Sequence, residues 1–246
     1  MPFHARSGQT SYGERIGILL LDTRTPFVHG DIGNANTYRY PVRYRRVDGL
    51  TVGRILAHDR GYEEAVVEAA RELEREGVRA IASDCGFLAL YQQAVQEAVQ
   101  IPVLLSSLLQ LPLIASLLPP DQAIAVVTAD RRSLDDTILG AVGAAPLRDR
   151  LAVGGLETCP GFREAALDES GPLEVATLRR EVVELATGLC AEKGFAIGAI
   201  LLECSLLPPY SADVQEATGR PVFDFLSLID FVAGGYDRPR FPEKLD

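Results

Sequence analysis

Two cysteines lie in a short sequence pattern that occurs once in each half of the chain. The copies span residues 83–91 and 202–210, and each reads acidic residue, cysteine, small residue, apolar residues and a closing tyrosine. A thiolate can remove a proton from a carbon acid or add to an electrophile, and a neutral thiol can donate a proton. The repetition therefore suggests that Cys85 and Cys204 act as a pair on one ligand.

Each cysteine is predicted to lie where a buried strand ends and a helix begins. The apolar runs 78–82 and 196–202 precede the two copies and are typical of parallel strands covered on both faces. Pro208 and Pro209 suit the first turn of the helix that follows the second cysteine. The free N–H groups and the helix dipole at such a position favour the thiolate form of cysteine.

The other cysteines and the neighbouring acids have less direct interpretations. Cys190 falls beside the apolar stripe of a predicted helix and is expected in the core, whereas Cys159 lies in a loop with no assigned role. Asp84 and Glu203 precede the paired cysteines, so the alternation of side chains along a strand directs them to the opposite side. We therefore expect these acids to hold backbone groups rather than to act as bases for the thiols.

Strands and helices alternate along the whole chain, which predicts an α/β fold with parallel sheets. The predicted strands are 15–22, 40–47, 78–82, 102–106, 123–128, 150–154, 196–202 and 221–226. The predicted helices are 61–76, 86–100, 108–118, 131–142, 172–193, 212–218 and 227–233.

The repeated cysteine pattern and a Pro-rich break at residues 119–121 predict two pseudo-symmetric lobes. Each lobe would be a short parallel sheet flanked by helices, with the active site in the cleft between the lobes, outside the carboxyl ends of the strands. The expected divisions are a flexible tail at 1–14, a first lobe at 15–113 with 219–246, and a second lobe at 114–218.

The composition fits a globular protein and argues against several kinds of partner. The chain has 246 residues, of which 47% are hydrophobic and 24% charged. A formal charge of −10 disfavours nucleic acid and anionic membranes, and no apolar run is long enough to span a bilayer. The N-terminal residues lack the apolar segment of a signal peptide, and the four cysteines show neither a disulfide framework nor zinc spacing. We therefore expect a cytoplasmic protein without a metal.

Cationic side chains are missing from the two segments that contain the paired cysteines. Neither residues 80–130 nor residues 194–219 contain Lys or Arg. An anionic ligand would therefore be held by backbone N–H groups and by the hydroxyls of Ser106, Thr128 and Ser205. Helix capping is the ordinary alternative role of such hydroxyls.

A long loop, residues 23–37, follows the first predicted strand. Long ordered loops often carry function, and residues 30–34 of this one read Gly-Asp-Ile-Gly-Asn, so Asn34 is a candidate binding residue. The same sequence also fits a simple tight turn, and it lacks the lysine of a phosphate-binding loop. The three histidines are far apart in the sequence and indicate neither a metal site nor a Cys–His dyad.

These features resemble the aspartate/glutamate/hydantoin racemase superfamily over roughly residues 15–233. The resemblance rests on a cysteine after an apolar strand in each half and on the turn at Thr128. It implies two pseudo-symmetric α/β lobes, an active site between them and no cofactor. It also implies that Cys85 and Cys204 are the catalytic thiols.

The resemblance further implies a set of substrate-binding residues. Backbone N–H groups beside the cysteines would hold the oxygens of a carboxylate or enolate, and the polar loop after the first strand would complete the site. The residues implied in this way are Asp22, Thr23, Gly86, Phe87, Ser205 and Leu206.

The sequence departs from glutamate racemases at all three of these places. Those enzymes resemble each other in Asp-Ser-Gly, Cys-Asn-Thr and Cys-Thr-His, whereas residues 22–24, 85–87 and 204–206 here read Asp-Thr-Arg, Cys-Gly-Phe and Cys-Ser-Leu. Apolar groups replace polar residues that serve an amino-dicarboxylate, so we expect a substrate with a neutral or apolar side chain. Arylmalonate decarboxylases keep only the second cysteine, whereas maleate isomerases keep both.

We therefore expect a cofactor-independent racemase or epimerase, an isomerase that acts at a carbon next to a carbonyl. One cysteine would remove the α proton and the other would protonate the opposite face. The substrate would be a small carboxylate or cyclic imide, such as an amino acid, a hydantoin or a hydroxy acid. In a closed site the two sulfurs should lie roughly 7 Å apart, too far for a disulfide.

Two alternatives stay open. The first is a cis–trans isomerase, decarboxylase or lyase of the same superfamily, in which one cysteine can add covalently. The second is a small-ligand sensor on the same scaffold. Homo-oligomerisation is also left open.

Overall fold

Two four-stranded parallel sheets form the framework of the protein. The computed structural model describes residues 7–192, 194 and 196–241. The strands lie in the order β2-β1-β3-β4 in the first sheet and β6-β5-β7-β8 in the second. They are β1 (Ile16–Leu20), β2 (Val42–Arg46), β3 (Ala80–Ser83), β4 (Val103–Leu104), β5 (Gln122–Thr128), β6 (Leu151–Gly155), β7 (Ala196–Leu202) and β8 (Val222–Phe223). The two orders are equivalent, so the predicted α/β fold with two pseudo-symmetric lobes is confirmed.

Helices flank both sheets, as parallel strands require. They are α1 (Val52–Leu56), α2 (Glu63–Arg75), α3 (Gln92–Ala98), α4 (Leu111–Leu117), α5 (Asp136–Ala141), α6 (Pro160–Phe162), α7 (Val175–Ala191), α8 (Ser211–Thr218) and α9 (Phe225–Gly235). A π-helical turn, Arg163–Leu167, continues α6. None of the described helices is both long and apolar enough to cross a membrane.

Helix α2 shows how the sequence determines the packing. Val66, Ala70 and Leu73 recur at spacings of four and three residues and are fully buried. Gly77 follows the helix in the left-handed conformation, with a φ of +93°, and ends it as predicted.

The segments after the two cysteines begin with 3₁₀ turns rather than directly with α-helix. Gly86–Tyr91 and Pro208–Tyr210 are 3₁₀ turns, and α3 and α8 follow them. In the second segment two prolines open the turn, where the missing N–H groups have no helical partner in any case. Each cysteine therefore still lies at a point where a strand gives way to helical backbone with free N–H groups.

Other helix predictions differ from the structure, chiefly in the second lobe. Of the helix predicted over 131–142 only α5 forms, and the helix predicted over 172–193 is α7, with residue 193 outside the described residues. Cys159, predicted to lie in a loop, is the N-cap residue of α6. Residues 1–6 of the predicted tail and residues 242–246 also lie outside the described range.

Helix α9 crosses back from the second sheet to the first. Phe225 and Ile229 of α9 are fully buried in one cluster with Ile16 and Ile18 of β1. Strand β8, which precedes α9, pairs with β7 in the second sheet. The segment after residue 219 thus contributes β8 to the second sheet and α9 to the first, and the lobe boundaries stay predictions.

Candidate active site

The two paired cysteines follow equivalent strands of the two sheets. Cys85 comes after β3 and Cys204 after β7, at the carboxyl end of each sheet. The residue before each cysteine is anchored in the same way: the Asp84 N–H donates to a carbonyl of β1 at 3.0 Å, and the Glu203 N–H donates to a carbonyl of β5 at 2.8 Å. The pseudo-symmetry of the lobes therefore extends to the site itself.

Both cysteines line one cavity between the lobes, as a pair acting on one ligand requires. The cavity has a volume of about 50 Å³, and all the cysteines of the described chain are free thiols. Its walls are mostly apolar and include Leu21, Phe27, Ile55, Phe162, Leu167 and Leu206. Among the described residues, no Lys, Arg or His lines this cavity.

Burial keeps both thiols in the neutral form in the resting site. It raises the pKa of Cys85 and of Cys204 well above the ordinary value, and the carboxyl group of Glu203 is the next cause in each case. The N–H groups of Phe87 and Leu206 lower these two pKa values but do not outweigh burial. The expected stabilisation of a thiolate by helical N–H groups is therefore present but insufficient.

Asp84 and Glu203 are buried next to the thiols and hold the neighbouring strands. Both carboxylate oxygens of Asp84 accept from the Leu21 N–H, at 3.0 and 3.2 Å. Glu203 accepts from the Thr128 hydroxyl at 2.8 Å. These bonds fit the structural role expected for the two acids. Burial raises the pKa of each carboxyl to about 7, so both groups exchange protons near neutral pH.

Two serines tie the lobes together beside the cysteines. The Ser205 hydroxyl donates to the backbone carbonyl of Asp84. From the first lobe, the Ser107 hydroxyl lies 3.2 Å from the Leu202 carbonyl and 3.1 Å from the Glu203 carbonyl, to which it can donate. The strand ends that carry the two thiols are therefore fixed relative to each other by direct hydrogen bonds.

A carboxylate from the second lobe closes one edge of the cavity. Glu169 accepts hydrogen bonds from the Thr23 hydroxyl and, at 2.8 Å, from the Arg24 N–H. The Thr25 hydroxyl donates to the Ala165 carbonyl at 3.4 Å. Glu169 has a φ of +48°, which non-glycine residues rarely adopt, so these hydrogen bonds must hold it in place.

The structure brings part of the predicted site together. The predicted residues that line the cavity are Thr23, Cys85, Phe87, Cys204, Ser205 and Leu206. Gly86 does not line it, because its open side faces Glu203: a Cβ on Gly86 would lie 2.6 Å from the carboxyl carbon of Glu203.

Four further predicted residues also lie outside the cavity, two of them because they bond to neighbouring segments. Asp22 accepts from the Gly49 N–H at 3.0 Å and pairs with Arg46 at 3.5 Å, so its carboxylate is directed away from the thiols. The Thr128 hydroxyl donates a hydrogen bond to Glu203, so Thr128 is linked to the site only through that acid.

Ser106 takes the capping role that was its ordinary alternative, and Asn34 caps a 3₁₀ turn within its own loop. The Asn34 carbonyl oxygen accepts from the Asn36 N–H at 2.9 Å, and its amide nitrogen donates to the Phe27 carbonyl at 2.9 Å. The Ser106 hydroxyl accepts from the Leu108 N–H at 3.2 Å. Asn34 therefore shapes the loop that carries Phe27 instead of facing the cavity.

Two aromatic residues of the cavity wall, Phe27 and Phe162, were not predicted from the sequence. Phe27 lies in the long loop that was singled out, but its position depends on Gly33, where an added Cβ would collide with the phenyl ring. Phe162 belongs to α6, a segment without helical periodicity in the sequence. No group of three or more metal-ligating side chains occurs in the described part of the chain.

Comparison with curated proteins shows the family. No family model matches the sequence. Dimethylsulfoniopropionate lyase 7 from Emiliania huxleyi (strain CCMP1516) is 35% identical over 235 residues, covering 92% of this chain and 68% of the relative. A dimethylsulfoniopropionate lyase from Durusdinium sp. clade D is 34% identical over 233 residues, covering 92% of this chain and 76% of the relative. This chain belongs to the dimethylsulfoniopropionate lyase family. Its relatives favour the lyase alternative over the racemase that was expected first.

Solved structures of the racemase superfamily have the same fold as this chain. An allantoin racemase from Klebsiella pneumoniae superposes with a TM-score of 0.62 at 16% identity, covering 94% of this chain and 95% of the other. An arylmalonate decarboxylase gives 0.53 at 19% identity, with coverages of 91% and 90%. A glutamate racemase from Bacillus anthracis gives 0.56 at 16% identity, with coverages of 91% and 80%. The chain therefore has the fold of the racemase superfamily that its sequence resembles.

Proposed function

We propose that this enzyme cleaves dimethylsulfoniopropionate into dimethyl sulfide and acrylate. The substrate is a propionate whose β carbon carries a positively charged dimethylsulfonium group. Loss of one α proton allows the C–S bond to break, so one substrate gives one dimethyl sulfide, one acrylate and one proton. The names of the relatives support the substrate, and the arrangement of the site supports this chemistry.

The observation that carries the proposal is a cavity with two thiols and, in the described chain, no cationic side chain. A dicarboxylate in such a cavity would bring two negative charges next to buried acids. A sulfonium zwitterion brings a cation instead, which the faces of Phe27 and Phe162 can stabilise by cation–π interactions. The cavity therefore favours an onium carboxylate over an amino-dicarboxylate.

The cleavage begins with proton transfer from carbon to sulfur. One cysteine, as thiolate, removes the α proton, and the electrons of that C–H bond form the double bond of acrylate. The electrons of the C–S bond leave with dimethyl sulfide. Negative charge that develops on the substrate carboxylate is stabilised by N–H groups of the turns that begin at Gly86 and Ser205.

The second cysteine remains a thiol and donates a hydrogen bond to the substrate carboxylate. In a racemase this thiol would return a proton to the opposite face of the α carbon. With a leaving group on the β carbon, elimination takes the place of that step. The same pair of thiols therefore fits either reaction, and the substrate decides between them.

The test is incubation of the purified protein with dimethylsulfoniopropionate. We expect dimethyl sulfide in the headspace and an equal amount of acrylate by NMR, with neither product from a Cys85→Ala/Cys204→Ala variant. No product above that variant would overturn the proposal. Racemisation of an enantiopure hydantoin or hydroxy acid, with uptake of deuterium from D₂O, would instead support the racemase, which the symmetry of the two cysteine turns favours as second candidate.

A further inference from the structure

Glu203 carries a buried carboxyl oxygen that no group in the described chain satisfies. Its side chain is 0% exposed, and one oxygen accepts from Thr128 at 2.8 Å. The other oxygen, Oε1, has no hydrogen-bond partner among the described residues. Burial of an unpaired carboxyl oxygen is costly, so its presence requires an explanation.

This oxygen lies between the two cysteine turns. Glu203 directly precedes Cys204, and its side chain reaches the other lobe, where a Cβ on Gly86 would overlap with Oε1. Gly86 directly follows Cys85. Strand alternation directs Glu203 away from its own neighbour Cys204, but it places no such restriction on contact with the opposite lobe.

The reaction requires a thiolate, whereas burial keeps both thiols neutral. Release of a thiol proton to water would add a second negative charge to an apolar cavity when Glu203 is ionised. Transfer of the proton to Glu203 avoids this cost: the S–H bond breaks, an O–H bond forms, and the single negative charge moves from carboxylate to sulfur.

We infer that Glu203 is the proton acceptor that converts one thiol of the pair into the thiolate, with Oε1 as the accepting atom. This inference deepens the proposed lyase function and rests on it. Once the thiolate has taken the α proton, Glu203 and the thiol each hold a proton. One of these protons is released to solvent with the products, which balances the reaction and restores the site.

Two other buried acids face the thiols. Asp84 directs both carboxylate oxygens to the Leu21 N–H, but its pKa is also about 7, so experiment must separate it from Glu203. Asp31 also has an unpartnered buried oxygen, Oδ2, but burial raises its pKa well above the ordinary value. Asp31 lies in the loop after β1, outside both cysteine turns, whereas the unpartnered oxygen of Glu203 lies between them.

The decisive variant is Glu203→Gln, which keeps an acceptor for Thr128 but cannot take a proton. In the wild-type protein kcat/KM should rise with pH near 7, as Glu203 loses its proton. In Glu203→Gln we expect kcat for dimethyl sulfide release to fall by about 100-fold or more and this rise of kcat/KM to disappear. The loss arises in the closed complex, where the thiol proton has no other acceptor. In the free enzyme, where water can take that proton, iodoacetamide labelling of Cys85 and Cys204, measured peptide by peptide, should become faster at a given pH, because an anion that raises both thiol pKa values has been removed. If Glu203 has only a structural role, the variant should instead lose both its activity and the selectivity of labelling for Cys85 and Cys204.

Two further variants separate Glu203 from its surroundings. Asp84→Asn removes the other carboxyl that titrates near pH 7 and should retain the rise of kcat/KM. Thr128→Val removes a hydrogen bond that lowers the pKa of Glu203, so the rise should move to higher pH. A smaller loss of kcat in Glu203→Gln, loss of the rise in Asp84→Asn, or unchanged labelling in Glu203→Gln would overturn the inference.

Failure of the proposed function would be seen separately. In that case the wild-type protein releases no dimethyl sulfide. Labelling needs no substrate, so it tests the coupling between Glu203 and the thiols whatever the substrate proves to be.

Discussion

The Ser205 hydroxyl donates a hydrogen bond to the backbone carbonyl of Asp84, and this bond joins the two cysteine turns across the lobe boundary. Ser205 follows one paired cysteine and Asp84 precedes the other. The separation of the thiols therefore depends on a direct bond between the turns as well as on the packing of the two sheets. Two strand ends from separate sheets can in this way act as one rigid site.

The two thiols should differ in importance if the reaction is an elimination. Only one cysteine then serves as base, so Cys85→Ser and Cys204→Ser should lower kcat unequally, with a loss of about 10² to 10⁴ for the base. Substrate deuterated at the α carbon should still react more slowly in the weaker-effect variant, because its base is intact. Equal losses in both variants would indicate the symmetric proton transfer of a racemase.

Phe162→Leu should weaken binding of the sulfonium group specifically. Loss of a cation–π contact worth about 1 kcal/mol raises KM for dimethylsulfoniopropionate roughly fivefold. The inhibition constant of 4-methylpentanoate, in which an uncharged isopropyl group replaces the dimethylsulfonium group, should hardly change. Phe231→Leu, at a ring that is 72% exposed, is the matched control. Equal weakening of both ligands would show that the ring contributes only apolar contact.

Glu169→Gln should loosen the edge of the cavity. The charged acceptor of the Thr23 hydroxyl and the Arg24 N–H is lost, and a charge-assisted bond of this kind contributes about 1.5 to 3 kcal/mol. Hydrogen exchange over residues 163–169 should become faster by roughly tenfold, which is 1.4 kcal/mol of local stability. Glu64→Gln on the exposed face of α2 should leave exchange in that segment unchanged. Unchanged exchange in Glu169→Gln would mean that packing alone closes this edge.

Stability should fall as pH rises from about 4 to about 7. Asp84 and Glu203 have ordinary pKa values of 3.8 and 4.5 and folded values of about 7, so the folded state binds more protons in this window. Their stabilisation is complete below the ordinary values and is lost as pH rises through about 7. Urea unfolding between pH 5 and 7 should show that Glu203→Gln removes about 1.4 kcal/mol per pH unit of this dependence. The same slope in wild type and variant would show that Glu203 is ionised when folded.

The sequence was sufficient to predict the strands and the placement of the cysteines. Buried parallel strands are short apolar runs, and the repeated pattern locates Cys85 and Cys204 at equivalent strand ends. Alternation along a strand also predicts that Asp84 hydrogen-bonds to backbone, as it does with the Leu21 N–H. Each of these inferences needs only residues that are neighbours in sequence.

The cavity wall was not predictable in the same way because it is made by contacts between distant segments. Phe27 and Phe162 come from different lobes, and neither lies in a periodic pattern. Asn34 lies in a long loop and Thr128 at the end of β5, and sequence alone does not show whether such a polar group faces a ligand or another part of the chain. Their hydrogen bonds to Phe27 and Glu203 decide this only in the folded chain.

Helix α9 imposes an order on biosynthesis. The face of β1 that carries Ile16 and Ile18 is covered by Phe225 and Ile229, which leave the ribosome only after every strand of both sheets. A nascent first lobe therefore exposes this apolar face throughout the synthesis of the second lobe. The two halves look like independent units in their topology, yet the first cannot complete its core during translation until the second has been made.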